Sequence, residues 1–397
     1  MTKMMFTKPF TQQEAIPEAG IERAVDILKT GRLHRYNLLP DEAGEAAALE
    51  MEYAEWQGAD YCVACTSGGY AIQLGLRVCG VEPGDKVLAN AYTLAPVPGA
   101  IHNVGGVPVL VDIDENYHID LDDLAAKATE SGAKYLLLSY MRGHIPDMEK
   151  LMSVCVEHDL CLIEDCAHTM GAKWREKSSG KFGIIGCYST QTYKHLNSGE
   201  GGILVTNNEE IMARAIMLSG SYMLFERHIS RPDIDFFDNI KLETPNCSGR
   251  MDNLRAAILR PQLKNLDSNC LAWNKRYAVL ELGLKGTTGV KLVHRDAREK
   301  FVASSFQFLL PDLSSKDIIK IVSRCAIRGV ELKWFGAEEP TGFTSRYTSW
   351  QYAPRQTLDK TERILDGLLD LRLPLTFSLD DCAVISEIIK TEIEKVI

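Results

Sequence analysis

The chain has 397 residues, of which 45% are hydrophobic and 25% are charged, and its formal net charge at pH 7 is −10. This length predicts two or three domains, and the composition is that of an ordinary globular protein with a large core. The negative net charge disfavours nucleic acid or an anionic membrane as the main partner. Without a long apolar run or an N-terminal signal segment, the sequence predicts a cytoplasmic protein that does not enter a membrane.

Eleven cysteines are spread along the chain, several of them inside apolar runs. We expect them to be reduced thiols that pack as small hydrophobic residues. Cys62 and Cys65 form a single CxxC pair. A zinc site needs a second such pair or nearby histidines, and the sequence places neither beside this one, so no metal is predicted.

Helical patterns at 12–30 and 40–57 precede a region in which short apolar runs alternate with amphipathic stretches. The predicted strands are rich in Val, Leu and Ile: DYCVACT (60–66), DKVLANA (85–91), VPVLVDI (107–113), KYLLLSY (134–140), LCLIED (160–165) and GILVTN (202–207). Helical spacing occurs between them at 67–81, 121–132 and 147–159. This alternation predicts a mainly parallel sheet with helices on both faces.

The pattern changes after residues 250–284, which predict one long helix or two. Segments 304–311, 315–335 and 380–396 then suggest a smaller α+β unit. We therefore predict an α/β protein with a large three-layer α/β/α domain over 1–270, including the N-terminal helices. A small C-terminal α+β domain is predicted over 271–397.

Ligands of open parallel sheets gather at the carboxyl ends of the strands. After the first predicted strand, Ser67, Gly68 and Gly69 open a helix whose free N–H groups suit a phosphate, although an ordinary strand–helix turn has the same pattern. Tyr92 follows the second strand, where an aromatic ring can stack on a planar ligand or simply pack in the core.

Asp165 ends the strand LCLIED, and a carboxylate there is costly to bury unless it meets a cation or a donor; a helix N-cap is the alternative. His168 lies three positions further on. Ser189 and Lys194 follow another apolar run. A lysine in a desolvated pocket becomes nucleophilic and forms Schiff bases, whereas a lysine on the surface does not. Taken with the phosphate-binding turn and the aromatic residue, these residues match what pyridoxal phosphate requires.

Six segments also follow, in order, the pattern of a known family: residues 80–101, 105–124, 144–151, 163–174, 186–208 and 249–267. On these segments the chain resembles the fold-type-I pyridoxal-phosphate enzymes of the DegT/StrS group, known best as nucleotide-sugar aminotransferases. The resemblance runs over nearly the whole chain and is strongest from 55 to 265.

The resemblance implies a role for each matching position. Lys194 would form the Schiff base and carry protons, Asp165 would pair with the pyridine nitrogen, and His168 would lie near the ring hydroxyl. Tyr92 takes the place of the stacking aromatic residue. The positions that would bind the phosphate are Ser67, Gly68, Gly69, Ser189 and Ser248. It also implies a homodimer in which the segment SGRM reaches into the partner's active site.

The sequence departs from the family pattern in three places. Gly69 stands where the family has threonine, and Ser248 stands where it commonly has an asparagine that reaches phosphate across the dimer, a role that Asn246 could take. The segments LLLSYMRGHIPDM and ELKWFGAEEPTGFTSRYTSWQY differ from the family's substrate motifs. The presence of Lys194 matters, because dehydratase relatives have histidine there.

The predicted reaction is a ping-pong transamination from an amino-acid donor, L-glutamate first, to a keto or aldehyde carbonyl of a sugar or sugar-like acceptor. The side chains considered for binding the acceptor are Arg142, Arg250, Trp334 and Tyr352. Three alternatives stay open: a sugar acid or non-sugar substrate of a specialised pathway, elimination or dehydration with the same lysine, and a non-catalytic regulator built on the same fold.

Overall fold

The structure of the chain, a computed structural model, describes residues 4–397. Its α-helices are α1 (Glu18–Thr30), α2 (Glu45–Gln57), α3 (Gly68–Val78), α4 (Pro96–Asn103), α5 (Leu121–Ser131), α6 (Met148–Glu157), α7 (Glu209–Ser219), α8 (Asp235–Asp238), α9 (Asn253–Leu263), α10 (Leu266–Leu284), α11 (Ser315–Ile327), α12 (Asp359–Gly367) and α13 (Leu379–Glu394). Three short 3-10 helices lie at Met141–Gly143, Phe225–Arg227 and Tyr347–Ser349.

The strands form three sheets. They are β1 (Tyr61–Cys65), β2 (Lys86–Asn90), β3 (Val107–Val111), β4 (Tyr135–Ser139), β5 (Cys161–Asp165), β6 (Lys173–Trp174), β7 (Lys177–Ser178), β8 (Ile185–Ser189), β9 (Gly202–Thr206), β10 (Lys291–Leu292), β11 (Glu299–Lys300), β12 (Ser305–Leu309), β13 (Lys333–Trp334) and β14 (Leu368–Arg372). All six strands predicted between residues 60 and 210 are present.

The large sheet has seven strands in the order β1-β9-β8-β5-β4-β2-β3. The pairs from β8 to β3 are parallel, whereas β9 runs antiparallel to both β1 and β8. Two apolar clusters, one on each face, fill the space between this sheet and the helices. The predicted α/β class is confirmed, with one strand of the large sheet reversed.

The second sheet has four strands in the order β10-β12-β14-β13, all antiparallel, and lies in the C-terminal part of the chain. A third sheet joins β11 to the short strands β6 and β7. The predicted helical region 250–284 is two helices, α9 and α10. The proposed domain boundary after residue 270 falls inside α10, so the division of the chain into domains stays a prediction.

Side-chain oxygens cap the helices that follow three of the large-sheet strands. Ser67 accepts from the N–H of Tyr70 at the start of α3, and Asp120 and Asp147 cap α5 and α6 in the same way. A capping oxygen satisfies N–H groups that have no partner inside the helix. These helices therefore begin close to where the sequence predicts.

The two N-terminal helices begin later than their patterns suggest. Pro17 has an extended backbone, with ψ of 141°, and Gly44 is likewise extended, with ψ of 149°, so α1 and α2 begin one residue after each. Within residues 4–397, no helix is long and apolar enough to cross a membrane.

Cys62 and Cys65 lie three residues apart on β1, and both are fully buried. Because successive side chains of a strand alternate between faces, these two thiols belong to opposite apolar clusters. They cannot bind one ion together.

Candidate active site

Lys194 lies in the loop between β8 and β9, which backbone hydrogen bonds hold in shape. The N–H of Thr190 donates to the carbonyl of Gly201, and the N–H of Ser198 to the carbonyl of Thr190, both at 2.9 Å. Gly199 has φ of +78°, a left-handed conformation that glycine adopts without steric cost. The glycines after Lys194 thus give this loop a fixed turn.

The same loop packs against the start of α3. A Cβ atom on Gly202 would lie 2.1 Å from the carbonyl oxygen of Ser67, and one on Gly68 would lie 2.6 Å from Cβ of Ser189. Only glycine permits both contacts. They bring the start of α3, the end of β8 and the lysine loop together at one edge of the large sheet.

The amine of Lys194 lies against a histidine ring: its Nζ is 2.5 Å from Nε2 of His168. Burial, followed by the positive charge of Arg142, lowers the pKa of this amine to about 7, while the charge of Asp165 opposes the shift. Much of the amine is therefore neutral near pH 7, and the neutral amine is the nucleophile.

His168 is held as a neutral ring with a defined tautomer. Its Nδ1 accepts a hydrogen bond from the backbone N–H of Arg142 at 3.1 Å, so the ring proton resides on Nε2. Burial and the neighbouring charge of Lys194 lower the pKa of His168 well below its ordinary value. The Nε2–H group therefore donates to the lone pair of the Lys194 amine.

Asp165 ends β5 and is 7% exposed. Its Oδ2 accepts from the hydroxyl of Ser139 at 2.8 Å, and its Oδ1 accepts from the N–H of Ala167 at 3.1 Å. Thr93 in turn donates to the Ser139 hydroxyl at 2.8 Å. Burial raises the pKa of Asp165, which makes a cationic partner favourable. Ser139 and Thr93 were not predicted in this role, although both follow or end strands at this edge.

The turn predicted for phosphate lies at the start of α3 and presents free N–H groups. The hydroxyl of Ser67 caps α3, and the first N–H groups of that helix, at Gly68 and Gly69, have no intrahelical acceptor. The hydroxyl of Ser189 is buried beside Gly68. Gly69 faces open space, because a Cβ atom there would meet only Pro96, at 3.5 Å.

Tyr92 is packed among other aromatic rings. Its side chain is 1% exposed, and its ring packs edge-on against Phe335 and Tyr117, with centroid separations of 5.1 and 6.0 Å. The ring belongs to an apolar cluster between the large sheet and the small sheet. Stacking on a ligand would require this ring to be uncovered, so that role stays a prediction.

Ser248 and Arg250 lie beside the end of β1, where the N–H of Thr66 donates to the carbonyl of Gly249 at 2.9 Å. Ser248 is exposed, and its hydroxyl donates to Oδ1 of Asn246 at 3.2 Å. Arg250 donates to the carbonyl of Gly220 at 2.8 Å. Within one chain, this guanidinium holds a loop rather than facing Lys194.

Trp334 and Tyr352, both considered for acceptor binding, are not brought to the lysine. Trp334 follows Lys333 in β13, so its side chain lies on the opposite face of the small sheet and donates to the carbonyl of Asp366 at 2.8 Å. Tyr352 is 40% exposed and donates to the carbonyl of Ala95 at 3.3 Å. Their role in acceptor binding stays a prediction.

Two further cations reach Lys194 from the small sheet. Lys333 in β13 lies opposite Asp370 of β14 in the strand register, and Arg372, two residues along β14, lies on the same face as Asp370. The charges of Arg142, Arg372 and Lys333 all contribute to the lowered pKa of Lys194. Of these cations, only Arg142 was predicted. The alternation in LLDLRLP indicates that Asp370 and Arg372 share one face of a strand, but nothing in the sequence places Lys333 or this strand beside Lys194.

The fold is that of solved pyridoxal-phosphate aminotransferase structures. A crystal structure of 3-amino-5-hydroxybenzoic acid synthase is similar over 98% of this chain and all of that chain, with a TM-score of 0.82 and 24% identity. Residues 18–390 match the DegT/DnrJ/EryC1/StrS aminotransferase family. The chain belongs to this family, and the resemblance seen in the sequence is confirmed.

Among similar proteins is one from Micromonospora echinospora provisionally named L-glutamine:3-amino-2,3-dideoxy-scyllo-inosose aminotransferase. It is 33% identical over 242 residues, which are 61% of this chain and 56% of that protein. The GDP-perosamine synthase of Caulobacter vibrioides is 31% identical over 225 residues, 56% of this chain and 57% of that protein. Both matches thus span somewhat more than half the length of the relative.

Proposed function

We propose that this chain is a pyridoxal-phosphate-dependent aminotransferase that moves an amino group from L-glutamate to the carbonyl of a sugar or sugar-like acceptor. The observation that carries the proposal is the contact between the Lys194 amine, whose pKa is about 7, and the neutral His168 ring. An amine in this state can both attack an aldehyde and take up a proton near neutral pH.

The residues present fit this cofactor. The start of α3 and Ser189 would hold its phosphate, because helix N–H groups and a hydroxyl suit an anion. Asp165, fixed by Ser139, retains acceptor capacity for a protonated ring nitrogen. When bound, the cofactor supplies an electron sink for the carbon that loses its proton.

The protein groups around that chemistry have separate tasks. Lys194 would take the proton from the donor carbon and return it, acting as base and then as acid in one pocket. The Nε2–H group of His168 orients the lysine amine, and the Arg142 N–H fixes the histidine tautomer. Lys194 is only partly exposed, and its burial holds the pKa of the amine low.

A sugar-like acceptor is favoured by the names of the two relatives, an inosose aminotransferase and a GDP-perosamine synthase. A homodimer with shared active sites is also part of the proposal. Its support is the exposed apolar segment formed by Tyr222, Met223 and Leu224, close to the segment that holds Ser248. All eleven cysteines, which lie within the described residues, are free thiols, and this supports a cytoplasmic location.

The test is an absorbance spectrum of the purified protein with pyridoxal phosphate, before and after L-glutamate is added. We expect a band near ~410–420 nm that gives way to one near ~330 nm as 2-oxoglutarate forms. Lys194→Ala should abolish turnover, while Lys150→Ala, an exposed lysine on α6, should not.

Steady-state transamination by Lys194→Ala at the wild-type rate would refute the assignment. A spectral change with L-glutamate that yields no 2-oxoglutarate would point instead to elimination or dehydration at the same lysine. No band at all, even with added pyridoxal phosphate, would refute the cofactor.

A further inference from the structure

Two half-buried cysteines lie side by side at the end of α3 that is opposite Ser67. Cys79 directly follows α3, and Cys161 is the first residue of β5. Their thiols are within hydrogen-bonding distance of each other. Among the eleven cysteines, all of which lie within the described residues, only these two and the exposed Cys247 are not buried. Cys79 and Cys161 are therefore neighbouring thiols that a small molecule can reach.

The fold brings this pair together on one face of the large sheet. Side chains alternate along β5, so Cys161 points to the same face as Ile163, which packs in the apolar cluster that also contains the buried residues of α3. In the strand register Cys161 lies opposite Tyr135 of β4. The Tyr135 hydroxyl donates to the carbonyl of Gly80, the residue after Cys79, at 3.0 Å. This hydrogen bond fixes the end of α3 above the first residues of β4 and β5.

The two thiols of the pair differ in acidity. The hydrogen bond with Cys79 lowers the pKa of Cys161, whereas the same hydrogen bond, followed by burial, raises the pKa of Cys79. The proton between them therefore stays on Cys79, and Cys161 becomes a thiolate more easily than an ordinary cysteine. The thiolate is the form that reacts with oxidants, and an adjacent thiol then converts the product to a disulfide.

We propose that Cys79 and Cys161 form a reversible disulfide when the protein meets a hydroperoxide, and that this bond fastens the end of α3 to the start of β5. The Cys161 thiolate first attacks one oxygen of hydrogen peroxide. The O–O bond breaks, the leaving hydroxide takes up a proton to become water, and Cys161 becomes a sulfenic acid. The Cys79 sulfur then attacks the Cys161 sulfur. The S–O bond breaks, and the second hydroxide leaves as water with the Cys79 proton, so the two thiols lose two electrons to the peroxide.

The disulfide would join two elements whose other ends belong to the candidate active site. α3 begins beside Ser67, and β5 ends at Asp165. Because α3 has 11 residues, it is about 17 Å long, and the disulfide lies at the far end of the helix from the site. A cross-link between residues 79 and 161 closes a long loop, which restricts the unfolded chain and stabilises the folded one. In a reducing compartment such a bond is transient.

A count of free thiols by mass spectrometry tests the disulfide. The variant Cys247→Ser lacks the exposed thiol, so a disulfide in it is not formed through that residue. The full chain is treated with hydrogen peroxide, denatured and alkylated with N-ethylmaleimide, which adds one label to each free thiol. Treated protein should carry two labels fewer than untreated protein, and dithiothreitol should restore both. Peptide mapping should find Cys79 joined to Cys161.

Two further variants in the Cys247→Ser background separate the roles of the thiols. Adding Cys155→Ser is the control, because Cys155 is buried in the apolar cluster on the other face of the sheet, and two labels should still be lost. Adding Cys79→Ser removes the partner but keeps the reactive thiol, so dimedone should trap a sulfenic acid on Cys161. An unchanged label count in Cys247→Ser, or a disulfide between other cysteines, would overturn the proposal.

Thermal unfolding measures what the bond does to the protein. Oxidised Cys247→Ser should melt at least about 3 °C higher than the same protein in dithiothreitol, because the cross-link restricts the unfolded chain. The variant that also carries Cys79→Ser should melt at one temperature whether or not it has met peroxide. A melting temperature that falls when the disulfide forms would show that the two thiols must be forced together, which contradicts the proposal.

Discussion

At the scale of single residues, the site depends on one proton assignment. The backbone N–H of Arg142 donates to Nδ1 of His168, which leaves the ring proton on Nε2, opposite the Lys194 amine at 2.5 Å. If the histidine were charged, it would repel a protonated lysine. With the ring proton on Nε2, a protonated lysine would meet an N–H donor and no lone pair, whereas a neutral amine offers its own lone pair to that donor. The observed arrangement stabilises the neutral, nucleophilic amine.

The lowered pKa of Lys194 predicts how cofactor loading depends on pH. Its pKa is about 7 in the folded chain, so the amine is mostly protonated below that value and mostly neutral above it. The rate at which the cofactor-free protein combines with pyridoxal phosphate should therefore rise with pH through about 7 and then level off. Stopped-flow absorbance at several pH values measures this.

Pyridoxamine phosphate is the control, because it lacks the aldehyde that reacts with the amine. Its binding should show no such rise. A loading rate that instead continues to climb to the ordinary lysine pKa, near 10.4, would contradict the shift.

Ser139 predicts a second effect, since its hydroxyl donates to Oδ2 of Asp165 at 2.8 Å. Ser139→Ala removes a hydrogen bond to a charged group, which is worth about 1.5 kcal/mol, and should weaken pyridoxal phosphate binding about tenfold. Ser153→Ala, at an exposed position on α6, serves as control. Equal Kd values for the two variants in a fluorescence titration would show that Ser139 does not position Asp165.

The sequence located the residues that lie at strand ends of the large sheet, because a strand end can be recognised from a local pattern. Lys194, Asp165 and His168 were found in this way, and the structure brings them together. Lys333 and Arg372 could not be placed, since they reach the site only through the packing of the small sheet.

At the scale of elements, β9 and α3 are joined by a contact that only glycine allows. Gly202→Ala would place a Cβ atom 2.1 Å from the carbonyl oxygen of Ser67, so the helix start must move. Overpacking of this kind costs about 1–3 kcal/mol, and the displaced helix start should also bind the cofactor's phosphate more weakly. Urea denaturation and a pyridoxal phosphate titration measure the two effects.

Gly99→Ala is the matched control. This glycine lies within α4, and a Cβ atom there would meet only the Tyr352 hydroxyl at 3.9 Å. Its replacement should stabilise the protein by about 0.5–1 kcal/mol, because alanine favours a helix over glycine. Gly202→Ala with wild-type stability and cofactor affinity would mean that the contact between β9 and α3 is not rigid.

Strand direction shows the limit of prediction at this scale. Buried strands of parallel and antiparallel sheets are both apolar runs, so GILVTN was found but not its orientation. The loop from β8 to β9 contains no helix, whereas a parallel connection needs a crossover, usually helical. The absence of a helical pattern between β8 and β9 therefore indicated that β9 runs antiparallel to β8. The glycines after Lys194 are there because this short connection must also pass close to α3.

At the scale of the whole molecule, the site draws on both the large and the small sheet. Arg142 follows β4 and pairs with Asp370 of β14, while Tyr92 and Phe335 pack between the same two parts of the chain. The family, fold and large-sheet elements were predictable, because they depend on patterns local to each segment. The meeting of the two sheets was not, since it depends on contacts between residues more than 200 positions apart.

A shared active site in the proposed homodimer predicts complementation between two inactive proteins. The variant Lys194→Ala lacks the amine. The double variant Asn246→Ala, Ser248→Ala lacks two exposed side chains that hydrogen-bond to each other. If that pair serves the partner's phosphate site, a mixed dimer contains one intact site: the lysine comes from one chain and the pair from the other. By symmetry, equal amounts refolded together should regain about a quarter of wild-type activity.

Activity is measured at a pyridoxal phosphate concentration that saturates wild type but not the double variant, with light scattering to establish the dimer. Lys194→Ala refolded with wild type is the control, and its activity should fall in proportion to dilution. If the complementing mixture shows only the sum of its two components, each site is complete within one chain. In that case Ser248 is a surface residue, and the phosphate is held by α3 and Ser189 alone.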